Sequence, residues 1–266
     1  MLKYILGAIF ALHILFPAGA SAHHTLASQQ QNMFAYQVCS GQLPQGWSCR
    51  AIVTGSSWSA EFPDQARRLI VQKFNRQNTI LKAGQFLVVP PAGLTWRDLS
   101  PFAQRAYQDR AEVIIFDPAQ LAWVHYQNGL LVTWGPAVGG RSWCADVQRS
   151  CYTDVGEFIF TEAAGPNRRS SSFPIGCRSR GTCAPMPRFT RFTNGGQGFH
   201  ERSMQGSHAS HGCIGLFAGD IQYLNSRVRE VAGRSSYGYF TAAQIERARA
   251  IPVIVLPYST ASALNS

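Results

Sequence analysis

Cys213 is the residue around which chemistry can be organised. It closes Ser210–His211–Gly212–Cys213, with His208 close by and His200 thirteen residues upstream. A thiol attacks only as thiolate, so it needs a base or a cationic neighbour to deal with its proton. Imidazole does this near neutral pH. The stretch Phe199–Leu216 therefore reads as a Cys–His nucleophile site. Two other readings stay open for the same residues, a zinc site and a buried, inert cysteine. Zinc needs three or four ligands at competent spacing. The stretch offers several histidines but one thiol and no paired cysteine.

The remaining cysteines bear on that choice. Met1–Ala22 has the make-up of a secretory signal peptide: Lys3, an apolar core over Tyr4–Phe16, and the small-residue cleavage site Ala20–Ser21–Ala22. Export implies an oxidising compartment. Of seven cysteines, six form sequence-local pairs and Cys213 is left over, which marks it as the thiol expected to stay reactive. Six cysteines allow 15 connectivities. The expected pairing is Cys39–Cys49, Cys144–Cys151 and Cys177–Cys183, where closing a loop of ~10 residues contributes about 2.5–3 kcal/mol in the chain-entropy model. Beyond the signal peptide no run of ~18 apolar residues occurs, so no transmembrane segment is expected after its removal.

The elements that must position these residues follow in order. His23–Met33 is polar and Gln-rich, and reads as a linker. In 34–91, Ala51–Thr54 is a short β-branched run. Asp64 can cap a helix with Ala66, Leu69, Ile70 and Phe74 on one face, and Leu81–Pro90 reads as turn, strand and stop. Through Trp58, Phe62, Pro63, Asn75, Asn78, Leu81, Gly84, Gln85, Leu87 and Pro90 this stretch resembles a degenerate LysM module. The resemblance implies a β-α-α-β fold that binds glycan, against the alternative of a module that touches no sugar. Ser100–Pro101 reads as a helix start, predicting a linker helix within 92–111 that runs to about Arg110. From Glu112 the pattern changes to strands: Glu112–Phe116, a hairpin of Leu121–Tyr126 and Leu130–Trp134 about Asn128–Gly129, then Gly156–Phe160. Runs of short strands argue for a closed or sandwiched β fold. Tyr107, Trp123 and Trp134 read as core. After Cys213, Ile221, Leu224, Val228 and Val231 share one helical face behind Asp220 as cap. Thr241–Gln244 forms a capping box, and Val253–Leu256 reads as a buried last strand. The main domain thus spans 112–258, and 259–266 reads as a loose tail.

The chain carries a net charge of +10. Gly165–His200 holds Arg168, Arg169, Arg178, Arg180, Arg188 and Arg191 and no acidic residue. Such a surface suits an anionic partner. An exported chain rarely meets nucleic acid, so a carboxylate-rich polymer or a membrane surface fits better, against the alternative of a solvated basic loop.

Ser210–His211–Gly212–Cys213 resembles the signature of the L,D-transpeptidase catalytic domain, a family of cell-wall cross-linking enzymes with a cysteine nucleophile. Further matching segments stand in the family's order. They are Val113–Gly140 with Leu121, Gly129 and Ala137–Gly140, Thr153–Phe158 with Thr153, Gly156 and Phe158, Met186–Pro187 followed by Phe189 and Phe192, Phe199–His200, and Asp220 with Leu224. The resemblance runs from Val113 to about Leu256. It implies a mainly β fold with some α, an L,D-transpeptidase-type β-sandwich or barrel preceded by the small α+β module. It also implies a periplasmic enzyme acting on peptidoglycan stem peptides, without cofactor or metal.

The implied roles are specific. Cys213 forms a thioester and His200 is its base, with the other ring nitrogen of His200 held by the backbone carbonyl of Glu201. N–H groups of Gly212 and Cys213 form an oxyanion hole. His211 binds or polarises substrate, Ser210 orients a histidine, and Met186, Arg188 and Phe199 contact substrate. His208 has no counterpart in the family pattern. The sequence departs from that pattern at Gly215, where the family usually has Arg, and at Glu201, where it usually has Gly. An arginine of Gly165–Arg191 is expected to take the missing one's place. The Cys144–Cys151 and Cys177–Cys183 loops look like additions around the cleft. A carboxypeptidase or D-amino-acid exchange enzyme on the same site, or a non-catalytic wall-binding protein marked by Gly215, remain as alternative readings.

Overall fold

Short polar side chains start the helices of the first module, in a structure (a computed structural model) that describes residues 32–258. The signal peptide, most of the 23–33 linker and the 259–266 tail lie outside the described residues. Asn32 accepts the Ala35 N–H at the head of α1 (Met33–Cys39). Strand β1 (Ser48–Ala51) leads to α2 (Trp58–Glu61), capped by Ser57, and to α3 (Gln65–Phe74), capped by Asp64 as expected. Strand β2 (Phe86–Val89) returns antiparallel to β1, giving the order β-α-α-β. The side chain of Asn75 holds this module together from inside. It donates to Val71 O and Val88 O and accepts the Val88 N–H.

The predicted linker helix over 100–110 is absent. That segment instead runs along the hairpin that follows it, with Ala106 N–H donating to Gly129 O and Leu131 N–H to Gln104 O. Tyr107 takes φ 52°, which is incompatible with a right-handed helix. Pairing with the hairpin satisfies backbone groups that a helix would have satisfied locally.

The main sheet starts with β3 (Glu112–Asp117), β4 (Ala122–Gln127) and β5 (Leu130–Val138), antiparallel neighbours turned at Asn128–Gly129. It continues with β6 (Gly156–Phe158) and β7 (Glu162–Ala163). After the one-turn helix α4 (Cys177–Arg180) come β8 (Thr190–Arg191), β9 (Gly198–Glu201) and β10 (Ile214–Leu216). Helix α5 (Ala218–Val231), β11 (Gly238–Tyr239), α6 (Ala242–Ala248) and β12 (Val253–Val255) complete it. The sheet order is β11-β7-β8-β9-β10-β5-β4-β3-β12-β6. The Thr241–Gln244 capping box forms as expected.

Strand alternation divides the core. On β3, Ile114 and Phe116 join Trp123, Phe160, Phe199, Ile214, Leu216 and the Ile221–Leu224–Val228 face of α5. Val113 and Ile115 point the other way and meet Val124, Trp134, Trp96 and Phe74. Because the first cluster draws on both wings of the sheet, the sheet curls around α5, and burying each large aliphatic residue there contributes about 1.5–3 kcal/mol. Asp220 is not the cap of α5. Phe217 stands at that position, and Asp220 turns inward to take an ion pair from Lys73 Nζ at 2.7 Å. The module also meets the segment before the signature, since Asn78 Oδ1 accepts the Met204 N–H at 2.7 Å and Asn78 N–H donates to Met204 O. No helix among the described residues is long and apolar enough to cross a membrane.

Candidate active site

Strands β9 and β10 run parallel, with Ile214 opposite Phe199 and Gly215 opposite His200. Alternation then sorts the side chains. Phe199, Ile214 and Leu216 face the core, each fully buried. His200, Arg202 and Cys213 face a cleft of about 700 Å³, whose wall also includes His211, Ser210 and Met186. This corrects one expectation. Phe199 cannot contact substrate, because the strand that presents His200 to the cleft turns its neighbour inward onto Phe160 and Phe192. Arg188 also lies off the cleft wall, paired with Glu201 at 3.0 Å.

The turn carrying the thiol is braced from three segments. Thr153 Oγ1 donates to Gly212 O at 2.9 Å and accepts the Gly140 N–H at 3.2 Å. The Tyr258 O–H has Thr153 Oγ1 and Gly140 O within reach, at 3.2 and 3.3 Å. Tyr258 is therefore a structural anchor at the end of the main domain. Gly140 allows the approach, since a Cβ there would lie 1.6 Å from Cys151 O. Gly212 adopts φ 119°, a region nearly confined to glycine. Ser210 does not orient a histidine. Its Oγ donates to Cys213 O at 2.5 Å and accepts the Gly212 N–H at 3.1 Å, so that N–H is already engaged and not free for an oxyanion.

His200 is nearly buried, and its Nδ1–H donates to Glu201 O at 2.8 Å. This selects the tautomer that leaves Nε2 with a lone pair. Burial pushes the imidazole down to about 4, against a smaller opposing effect of the Glu201 carbonyl. Burial likewise pushes the Cys213 thiol up to about 11, with the Gly198 N–H and Arg202 pulling the other way. Burial therefore favours a neutral thiol and a neutral imidazole, the states from which a general base can take the thiol proton during attack. Cys213 is the free cysteine among the described residues, and the three expected disulfides are all present.

His211 is gripped between the two added loops. Its Nε2–H donates to Asp146 at 2.8 Å, and its ring stacks on Phe173 at 4.2 Å. Asp146 lies within the Cys144–Cys151 loop, and Phe173 precedes the Cys177–Cys183 loop. His208 is structural, accepting the Gly139 N–H through Nδ1 and donating through Nε2 to Pro118 O. Cys144, Cys151 and His211 come within 4.8 Å of one another, but the two sulfurs are bonded together and cannot serve as thiolate ligands.

Arg149, Arg168, Arg169, Arg191 and Arg202 line the cleft with the acidic residues Asp154 and Glu201. Arg168 and Arg191 are both drawn to the buried Glu162, at 3.3 and 3.0 Å. Sequence reasoning missed Arg202, Asp146 and Phe173. The signal for Arg202 was available, since it stands two residues after His200 and so shares its face on an extended strand. Asp146 and Phe173 reach His211 only through the folding of irregular loops, which no periodicity encodes.

The family model of the YkuD L,D-transpeptidase catalytic domain matches residues 110–254. No curated protein matches the chain. Among solved structures, the L,D-transpeptidase of Xylanimonas cellulosilytica is similar at 16% identity and a TM-score of 0.43, over 71% of this chain and 79% of that one. An L,D-transpeptidase from Mycobacterium tuberculosis is similar at 18% identity and a TM-score of 0.37, over 55% of this chain and 58% of that one. L,D-transpeptidase 3 of the same organism, in complex with a faropenem-derived adduct, is similar at 18% identity and a TM-score of 0.38, over 55% and 60%. The chain thus spans less than two thirds of the latter two.

Proposed function

Because this chain belongs to the L,D-transpeptidase catalytic-domain family, we propose that it is a periplasmic enzyme that cross-links peptidoglycan stem peptides through a thioester on Cys213. The observation that carries the reading is that one free thiol and an imidazole whose Nδ1 is tied to Glu201 O stand on the wall of the same cleft. The signal-peptide pattern and the disulfides support export.

The steps follow from the groups present. His200 Nε2 takes the Cys213 proton as sulfur attacks the amide carbonyl after the third residue of a donor tetrapeptide. The Cys213 N–H is the candidate donor to the developing oxyanion. The carbon–nitrogen bond then breaks, His200 returns the proton to the departing amine, and D-alanine leaves a thioester behind. A side-chain amine of a second stem loses a proton to His200 and attacks the thioester carbon. A new amide forms and the thiol is regenerated. His211, held by Asp146 and Phe173, borders the acyl group, and Met186 supplies apolar contact. The first module contributes a surface for glycan.

Incubation with tetrapeptide muropeptides, followed by mass spectrometry, tests this. Cross-linked dimers lacking one D-alanine are expected from wild type and not from Cys213→Ala. Tripeptides alone would make the enzyme a carboxypeptidase, and equal products from both proteins would refute the Cys213 assignment. A carbapenem should likewise add its mass to wild type only.

A further inference from the structure

The position after Ile214 is a glycine, and the space a side chain would need there is already filled. A Cβ on Gly215 would lie 2.8 Å from Arg202 Cβ and 2.9 Å from its Cδ. The stem of Arg202 thus lies across Gly215, and the parallel register explains why. Arg202 continues β9 past His200, its N–H donating to Leu216 O, so its side chain emerges on the cleft face beside Gly215. The side chain that fills this space thus belongs to the strand next to the signature and not to the 165–191 stretch.

The guanidinium is unusually placed. Arg202 is largely withdrawn from water, and no carboxylate among the described residues pairs with it. Its Nη2 donates to Ala209 O at a long 3.3 Å, while Arg141 Nη2 donates to the same oxygen at 2.9 Å. Two cations therefore converge on one carbonyl. Burial and the Arg141 charge disfavour the protonated form of Arg202, and the Cys213 sulfur favours it. A largely buried guanidinium next to another cation is costly unless an anion completes it. Of the other cleft arginines, Arg168 and Arg191 are taken by Glu162. Arg202 is open on the side that faces the cleft and Cys213.

We propose that Arg202, seated over Gly215, is the guanidinium that binds the C-terminal carboxylate of the acyl-donor peptide beside the Cys213 sulfur, with Arg141 reinforcing the positive potential behind it. A planar guanidinium suits a carboxylate through paired hydrogen bonds. The carboxylate of the leaving residue is a short covalent distance from the bond that breaks, so holding it places the carbonyl carbon against sulfur. This rests on the transpeptidase reading above, and its test separates the two.

Donor tetrapeptides with a free C-terminal carboxylate or a carboxamide are compared by turnover on the full chain. Their binding to the Cys213→Ala protein is measured by calorimetry. Wild type is expected to favour the carboxylate donor through KM by ~10-fold or more, the scale of charge-assisted hydrogen bonds. Arg202→Ala is expected to bring the ratio of the two KM values towards one. Arg202→Lys should retain part of the preference, and Arg202→Ala combined with Gly215→Arg should restore part of it from the vacated space. Equal loss on both donors, or an unchanged ratio in Arg202→Ala, would overturn the proposal. If wild type turns over neither donor but Cys213→Ala binds the carboxylate form preferentially, and only with Arg202 present, the anion subsite stands and the transpeptidase reading falls. Absence of any carboxylate preference in both measurements overturns the subsite.

Discussion

Asp146 holds His211 from within the eight-residue loop closed by Cys144–Cys151. The carboxylate accepts from Nε2 at 2.8 Å, and its pKa is lowered chiefly by that hydrogen bond. The geometry at His211 therefore depends on a loop whose ends are joined by Cys144–Cys151.

Opening that loop should impair the site without unfolding the protein. Replacing both cysteines by serine frees Asp146 to move, and acylation of Cys213 is expected to slow by ~10-fold or less, the scale of a lost positioning contact. Asp146→Asn keeps the shape and a hydrogen-bonding oxygen, so its loss should be smaller. Acylation rates measured beside circular dichroism would decide this, and unchanged rates in the double serine variant would remove any role for the loop.

The thiol's pKa is pushed up to about 11 by burial. Alkylation of the resting protein by iodoacetamide should therefore climb steadily from pH 6 towards pH 10 rather than level off near neutrality. A plateau below pH 8 would mean a preformed thiolate. Acylation by substrate should instead fall only as pH drops through about 4, where His200 takes a proton and can no longer act as base.

Two histidines also link pH to stability. His200 and His208 each sit near 4 in the folded protein, against an ordinary 6.5, because burial disfavours the charged ring. Between those values the unfolded chain binds protons that the folded one does not. The stabilisation is thus complete above about pH 6.5 and is lost as pH falls towards 4. Urea midpoints should decline over that window, and His208→Gln should flatten part of the decline.

Gly140→Ala should be among the most damaging small substitutions. Its Cβ would fall 1.6 Å from the Cys151 carbonyl oxygen, a backbone atom that cannot rotate away. Overpacking of this kind costs about 1–3 kcal/mol or more. A lower melting temperature and loss of Cys213 acylation are expected together. Gly219→Ala, with nothing within 4 Å of its Cβ in the first turn of α5, should instead be neutral or raise stability by about 0.4–1 kcal/mol. Thermal melts of the two variants make the comparison.

Local rules carried much of the reading of this chain. Asp64, the Asn128–Gly129 hairpin and the Thr241–Gln244 box act on backbone groups a few residues away, so the residues alone specify them. The pairing of six cysteines over short separations, with Cys213 left free, was legible for the same reason. The fold departs from these local preferences where one of them met a distant competitor. The 100–110 segment had a helix start but found partners on the hairpin, and Asp220 looked like a cap but was claimed by Lys73.

The sequence by itself determined the family and singled out Cys213 and His200 as the proposed nucleophile and base, because these residues and the surrounding motifs are properties of residue type and order. Only the tertiary structure decided which groups serve them. Parallel pairing of β9 with β10 turned Phe199 into the core and brought Arg202 over Gly215. Loop folding delivered Asp146 and Phe173 to His211, and Thr153 and Tyr258 to the thiol turn. These contacts join residues far apart in the chain, and their geometry is set by strand register and packing, which no local pattern contains.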